Sequence, residues 1–212
     1  MSCALQKKMG GPPIPPKRVG TKLFKHAEPA LEIEGFYDFC CPYSKKSFEM
    51  IYDNVINAAP AGEVEFIFQN VVQPWHPQSA YMHEAALAVR ALDETKYFPF
   101  AKELFARQVE FFDAHVWDMS RAQIYDALVE IASEFVDAAA VKEKLARTIV
   151  EGSLNTGNSA TLELKWATKY HRVRGVHVTP TIFLNGIEAP DVSSGWDQGQ
   201  WAAKIGECLP SK

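Results

Sequence analysis

The chain has no run of about 18 or more apolar residues, the length a membrane-crossing helix needs, so no membrane partner is expected. It also lacks an excess of positive charge. The net charge is −4, and no nucleic-acid partner is expected from that balance. No glycine-rich phosphate loop occurs. His83-Glu84 opens a helical stretch, but Leu87 stands where a zinc-protease motif needs its second histidine. His76 and His83 lie far from any cysteine cluster, so no metal site is expected. Cysteine is scarce, with only Cys3, Cys40, Cys41 and Cys208 among 212 residues. Neighbouring cysteines such as Cys40 and Cys41 bridge only with severe strain, and a chain of this length folds without staples. Reduced thiols in a reducing compartment are therefore expected.

Acidic residues are missing from Met1 to Ala27, which holds Lys7, Lys8, Lys17, Arg18, Lys22 and Lys25. No apolar leader core follows the first residues. Freedom from acids is one mark of a mitochondrial transit segment. However, the cations are mostly lysine, and Pro12, Pro13, Pro15 and Pro16 break an amphipathic helix. A cytoplasmic location is expected, with mitochondrial import as the lesser alternative.

What is present is ordinary globular material, 47% hydrophobic and 12% aromatic. Residues 1–30 read as a proline-rich arm, lying on its own protein or loose. Leu31 and Ile33 alternate with Glu32 and Glu34 into Gly35, Phe36 and Tyr37, a strand. Pro42 suits the first turn of a helix that runs through Met50, Ile51, Asn54 and Val55 and stops before Pro60. From Gly62 a second strand places Val64, Phe66 and Phe68 on one face and ends before Pro74.

Residues 75–174 read as an inserted helical domain. Its predicted helices cover His83 to Leu92 and Tyr97 to Phe112, then a stretch opened by the Ser120 and Gln123 capping box. Another, capped by Asp137, runs through Val141, Leu145 and Ile149, and the last starts at about Thr156. Thr179 to Leu184 reads as a strand, Asn185-Gly186 as a tight hairpin turn, Ile187 as the return strand, and Trp196 to Cys208 as a final helix. Residues 31–74 and 175–212 thus form a β-α-β unit and a β-β-α unit around the insert.

Two motifs carry a family likeness. Phe36-Tyr37-Asp38-Phe39-Cys40-Cys41-Pro42-Tyr43-Ser44 resembles the active-site segment of DsbA-like proteins, where a C-x-x-C pair opens the first helix. Val178-Thr179-Pro180-Thr181-Ile182-Phe183-Leu184-Asn185-Gly186 is similar to the cis-proline strand and hairpin of that family. The likeness covers about Leu31 to Leu209 and implies an α/β, thioredoxin-like fold with an inserted helical domain. It also implies a nucleophile at Cys41, a cis bond before Pro180, and an extended substrate chain paired with the backbone of Thr179. Pro42 and Tyr43 belong to the same substrate-facing segment. Cys40 is expected to point away, into packing.

One departure matters. Ser44 stands where these enzymes carry their second cysteine, leaving a C-P-Y-S monothiol. A cysteine at a helix N-terminus meets the positive end of the dipole and unpaired N–H groups, which can bring a thiol from about 8.5 into the range 3.5–7.5. Ser44 is expected to donate its hydroxyl to the Cys41 sulfur, with Lys45 and Lys46 adding positive charge.

The reading that follows is a thiol–disulfide oxidoreductase using Cys41 by a monothiol route. Its partner would be a disulfide-containing peptide or protein, or glutathione as a co-substrate, with no tightly bound cofactor. Kappa-class glutathione transferases and hydroxychromene carboxylate isomerases offer a second reading, since their segment resembles S-P-Y-S. A thioredoxin-fold module that binds peptides without catalysis is the third.

Overall fold

The computed structural model describes residues 11–24, 28–60 and 62–209. Cys3 and the start of the proline-rich arm lie outside them. In chain order the elements are β1 (Thr21–Lys22), β2 (Leu31–Tyr37), α1 (Pro42–Glu49), a wider helical turn (Met50–Val55), α2 (Ile56–Ala58) and β3 (Val64–Asn70). Six helices follow: α3 (Ser79–Leu92), α4 (Tyr97–Ala106), α5 (Asp113–Val116), α6 (Arg121–Ala132), α7 (Ala138–Leu145) and α8 (Thr161–Val173). The chain closes with β4 (Thr181–Leu184), β5 (Ile187–Glu188) and α9 (Gln198–Cys208).

The sheet runs β1-β3-β2-β4-β5. Strands β2 and β3 are parallel, as the intervening helix requires, and β4 returns antiparallel to β2. This is the thioredoxin-like arrangement that the two motifs imply, with α3 to α8 placed between β3 and β4. Asn185 (φ 48) and Gly186 (φ 84) both adopt the left-handed conformation that a two-residue hairpin demands, which explains the Asn-Gly pair joining β4 to β5. The Asn185 side chain also accepts the Glu32 N–H at 2.8 Å, fixing the hairpin to the start of β2.

Every residue of β3, and all of β2 except Glu32, is buried, because helices cover both faces of the sheet. On one face Tyr37, Phe48, Phe66, Phe68, Phe98 and Phe105 form a continuous aromatic core that joins the sheet to α1 and α4. On the other, Glu34 is fully buried and balanced by Arg174 at 3.1 Å, Arg18 at 3.5 Å and hydrogen bonds from Gln69 and Tyr170. Arg174 lies over the ring of Phe183 at 4.1 Å, so the cation is held by π-faces as well as by its carboxylate.

Several boundaries differ from the sequence reading. Part of the arm is structured: β1 pairs antiparallel with β3, and the Pro13 carbonyl accepts the Trp166 indole N–H at 2.6 Å. The helix expected from Tyr97 to Phe112 ends at Ala106 and is followed by a tight turn over Gln108–Phe111. The buried Gln108 amide is drawn to the Phe39 carbonyl there, a tertiary bond that helical periodicity cannot show. The helix expected to reach Ile149 stops at Leu145, where Ser159 caps the Lys144 carbonyl and leaves Ile149 exposed. The last insert helix starts at Thr161, not Thr156. Gly157 takes positive φ, and Asn158 turns the chain by accepting the Ala160 N–H. The final helix begins at Gln198 under a capping box of Asp197 and Gln200, two residues after Trp196.

Candidate functional site

The site forms where β2 runs out. After Tyr37 the chain turns through Asp38, Phe39 and Cys40. The Cys41 N–H donates to the Asp38 carbonyl at 3.0 Å, closing the turn. Cys41 is the N-cap of α1, with extended backbone angles, and Pro42 takes the first helical position, where a missing N–H costs nothing. The Cys41 carbonyl accepts the Lys45 N–H at 3.1 Å and starts the helical ladder. The sulfur of Cys41 therefore sits at the positive end of α1. Its Sγ lies 3.2 Å from the Thr179 carbonyl oxygen, to which the thiol donates. The Thr179–Pro180 peptide bond is cis. Thus the fold brings Cys41, Thr179 and Pro180 together across 138 residues of sequence.

Cys40 takes the opposite direction. Its Sγ packs 3.5 Å from the Met82 sulfur and 3.8 Å from the Phe111 carbonyl, under the helical insert. Burial pushes this thiol well above its ordinary value, and the charges of Asp38 and Asp113 push it further. Such a thiol stays protonated and inert. Cys40, Cys41 and Cys208 are all free, with no disulfide among the described residues.

Asp38 organises the turn that carries both cysteines. Its carboxylate is fully buried and accepts the Cys40 N–H and the Gln73 N–H, each at 2.7 Å. Those two bonds staple the cysteine turn to the segment that follows β3. Gln73 then extends the staple, donating its side-chain amide to the His177 carbonyl at 3.3 Å, two residues before Thr179. From the insert, Gln108 donates to the carbonyls of Phe39 at 2.8 Å and Cys41 at 3.4 Å. Beneath the site, His83 is completely buried. Its ring nitrogens face the Asn70 side-chain oxygen at 2.8 Å and the Val71 carbonyl at 3.0 Å, and burial pushes its pKa down to about 4.

The sequence-derived residues fall into two groups. Pro42 and Tyr43 are exposed beside Cys41, Tyr43 with 65% of its surface free. Thr179 and Pro180 are half-buried opposite it. Ser44 does not behave as expected. It is fully buried, and the one hydrogen bond of its Oγ among the described residues is accepted from the Asp38 N–H at 3.2 Å, not donated to the Cys41 sulfur. The oxygen of Ser44 is turned to the backbone N–H of Asp38 at the end of β2. Lys45 is turned toward Glu49 at 3.8 Å. Trp75 lies exposed on the segment after Gln73.

Asp38, Gln73 and Gln108 are the residues that motif reading passes over. Asp38 alone left a trace, a single carboxylate between Tyr37 and Phe39 in an otherwise apolar strand end. The arrangement as a whole can expose one thiolate to a disulfide while holding an extended chain against the Thr179 backbone.

Residues 26–198 match the family model for thioredoxin. A candidate protein-disulfide isomerase from Pseudomonas syringae is 25% identical, with 84% of this chain and 94% of that chain covered and a TM-score of 0.67. The thiol-disulfide exchange protein alpha-DsbA2 from Wolbachia pipientis is 20% identical over 89% of this chain and 86% of its own, with a TM-score of 0.63. DsbA from Mycobacterium tuberculosis, in its reduced form, is 16% identical over 89% and 91%, with a TM-score of 0.57. No curated protein sequence matches the chain.

Proposed function

We propose that this chain, which belongs to the thioredoxin family, is a thiol–disulfide oxidoreductase of DsbA-like type that works with one cysteine. The observation that carries the reading is the position of Cys41, at the N-cap of α1 with its sulfur 3.2 Å from the Thr179 carbonyl. The thiolate of Cys41 is the attacking species. It attacks one sulfur of a disulfide R–S–S–R′. The Cys41–S–S–R bond forms as the S–S bond breaks, and R′S⁻ leaves and takes a proton from water.

Ser44 supplies no second thiol, and Cys40 is turned away toward Met82. An external thiol must therefore complete the cycle, and glutathione fits the role of co-substrate. Its thiolate attacks the mixed disulfide at the R sulfur, returns the Cys41 thiolate and leaves R–S–S–G. Thr179 and Pro180 hold the extended substrate, with Pro42 and Tyr43 on the facing helix. Cytoplasmic residence belongs to the same proposal.

The transferase reading is weaker on one count. In it Ser44 or Cys41 would activate the thiol of bound glutathione, and the burial of Ser44 leaves that role to Cys41 alone. The deciding experiment follows reduction of a glutathione–peptide mixed disulfide by excess glutathione, with the wild-type chain and Cys41→Ser. Catalysis that disappears in the variant is the expected result. Equal rates for both would remove Cys41 from the reaction and end the proposal.

A further inference from the structure

The buried carboxylate of Asp38 needs a compensating cation, because an isolated charge away from water is costly. Two N–H groups reach it, but backbone dipoles leave its net charge in place. Among the described residues, its one ion-pairing partner is His76, whose Nδ1 lies 3.3 Å from Asp38 Oδ2. That nitrogen is buried and has no hydrogen-bond partner, while the side chain as a whole is 23% exposed. A bare nitrogen lone pair facing a carboxylate would be repelled, so Nδ1 carries the ring proton, and a second proton on Nε2 would make the ring the cation that Asp38 needs.

Other charged groups do not take this place. On α3, His83 has both nitrogens engaged and is held neutral by burial. Asp113 adds negative charge on the Cys40 side. Lys45 of α1 is directed to Glu49, and His177 is exposed on the facing segment. Trp75 meets the His76 ring edge-on at 6.2 Å without contributing charge.

We propose that His76 is a positioning residue for the exchange reaction: protonated, it neutralises Asp38 and so removes the negative charge that opposes a thiolate on Cys41. This inference rests on the reading of Cys41 as the nucleophile. The same carboxylate holds the Cys40 N–H, and its backbone carbonyl holds the Cys41 N–H, so its charge sits directly under the reacting turn. With His76 neutral, Asp38 would also be freer to draw in water and loosen the staple to Gln73.

The test measures iodoacetamide labelling of Cys41 from mildly acid to mildly alkaline pH, in a chain with Cys3→Ser and Cys208→Ser. In that background His76→Gln is expected to label about fivefold more slowly at neutral pH, the size of one unscreened charge at medium distance. Its pH profile moves upward, which a merely structural loss would not cause. In an Asp38→Asn background the same His76→Gln change is expected to have no further effect. An unchanged profile, or an equal loss in both backgrounds, would overturn the inference.

A second measurement uses the chain without changes at His76 or Asp38. The His76 ring is followed by NMR against pH before and after Cys41 is capped with iodoacetamide. Reciprocal linkage requires its titration to move when the thiolate is removed, and a fixed titration overturns the inference. If Cys41 before any change at His76 labels no faster than a free thiol, the oxidoreductase reading falls and takes this one with it. Fast labelling of that chain with an unmoved His76→Gln profile sinks the His76 inference alone.

Discussion

Cys40 and Cys41 are adjacent in the chain, nearly equal in exposure at 2% and 6%, and opposite in circumstance. One sulfur points into the insert, against Met82 and Phe111. The other points across the sheet end, toward Thr179. Exposure does not separate them. The separation comes from direction: Cys41 caps a helix facing the cis-proline segment, whereas Cys40 is the last residue of a turn pinned by Asp38. Chemistry at this site is set by which way one backbone step faces.

The largest effect that tests the comparison is catalytic. Cys41→Ser is expected to cut the mixed-disulfide exchange rate by about a hundredfold or more, about 2.7 kcal/mol of barrier, while Cys40→Ala keeps most of the rate. A comparable loss in Cys40→Ala would erase the distinction. Stability against acid comes next. His83 is pushed down to about 4 in the folded chain from 6.5 when unfolded, so the unfolded state binds the extra proton first. Stability from this source is complete above pH 6.5 and is lost as pH falls toward 4, by about 3 kcal/mol. Urea unfolding across that window should show the loss, and His83→Gln should flatten it.

Cys40→Ala removes a small buried side chain from the Met82 contact, and a fall of about 1 kcal/mol in unfolding free energy is expected by urea titration. The smallest effect serves as the reference. Ile149→Ser, at an exposed loop position, should change stability by less than about 0.5 kcal/mol.

Much of this architecture was legible in the sequence, for reasons that can be traced to particular residues. Leu31 to Tyr37 and Val64 to Asn70 carry enough apolar and aromatic side chains to read as strands, and Asn185-Gly186 fits few turns besides the one it makes. The Ser120 and Gln123 capping box is local chemistry and was legible as such; both of its bonds are present. What periodicity could not show is where helices stop when a distant group claims their polar atoms. Ser159 at the end of α7 and Gln108 beyond α4 are both such cases.

The site divides in the same way. Cys41 and Pro180 belong to motifs and could be named in advance. Gln73 and Gln108 act through contacts with residues up to 104 positions away, as in the Gln73 bond to His177, and no local pattern marks them, while Asp38 left only its place in an apolar strand end. The misreading of Ser44 has the same origin. Spacing put it within a turn of Cys41, but its oxygen faces the Asp38 N–H instead.

The amide of Gln108 has a mechanical consequence. It belongs to the helical insert, yet it grips the carbonyls on both sides of Cys40, at Phe39 and Cys41. The insert is thereby geared to the first turn of α1. A shift of Gln108 relative to the sheet end would therefore be felt by the backbone on both sides of Cys40.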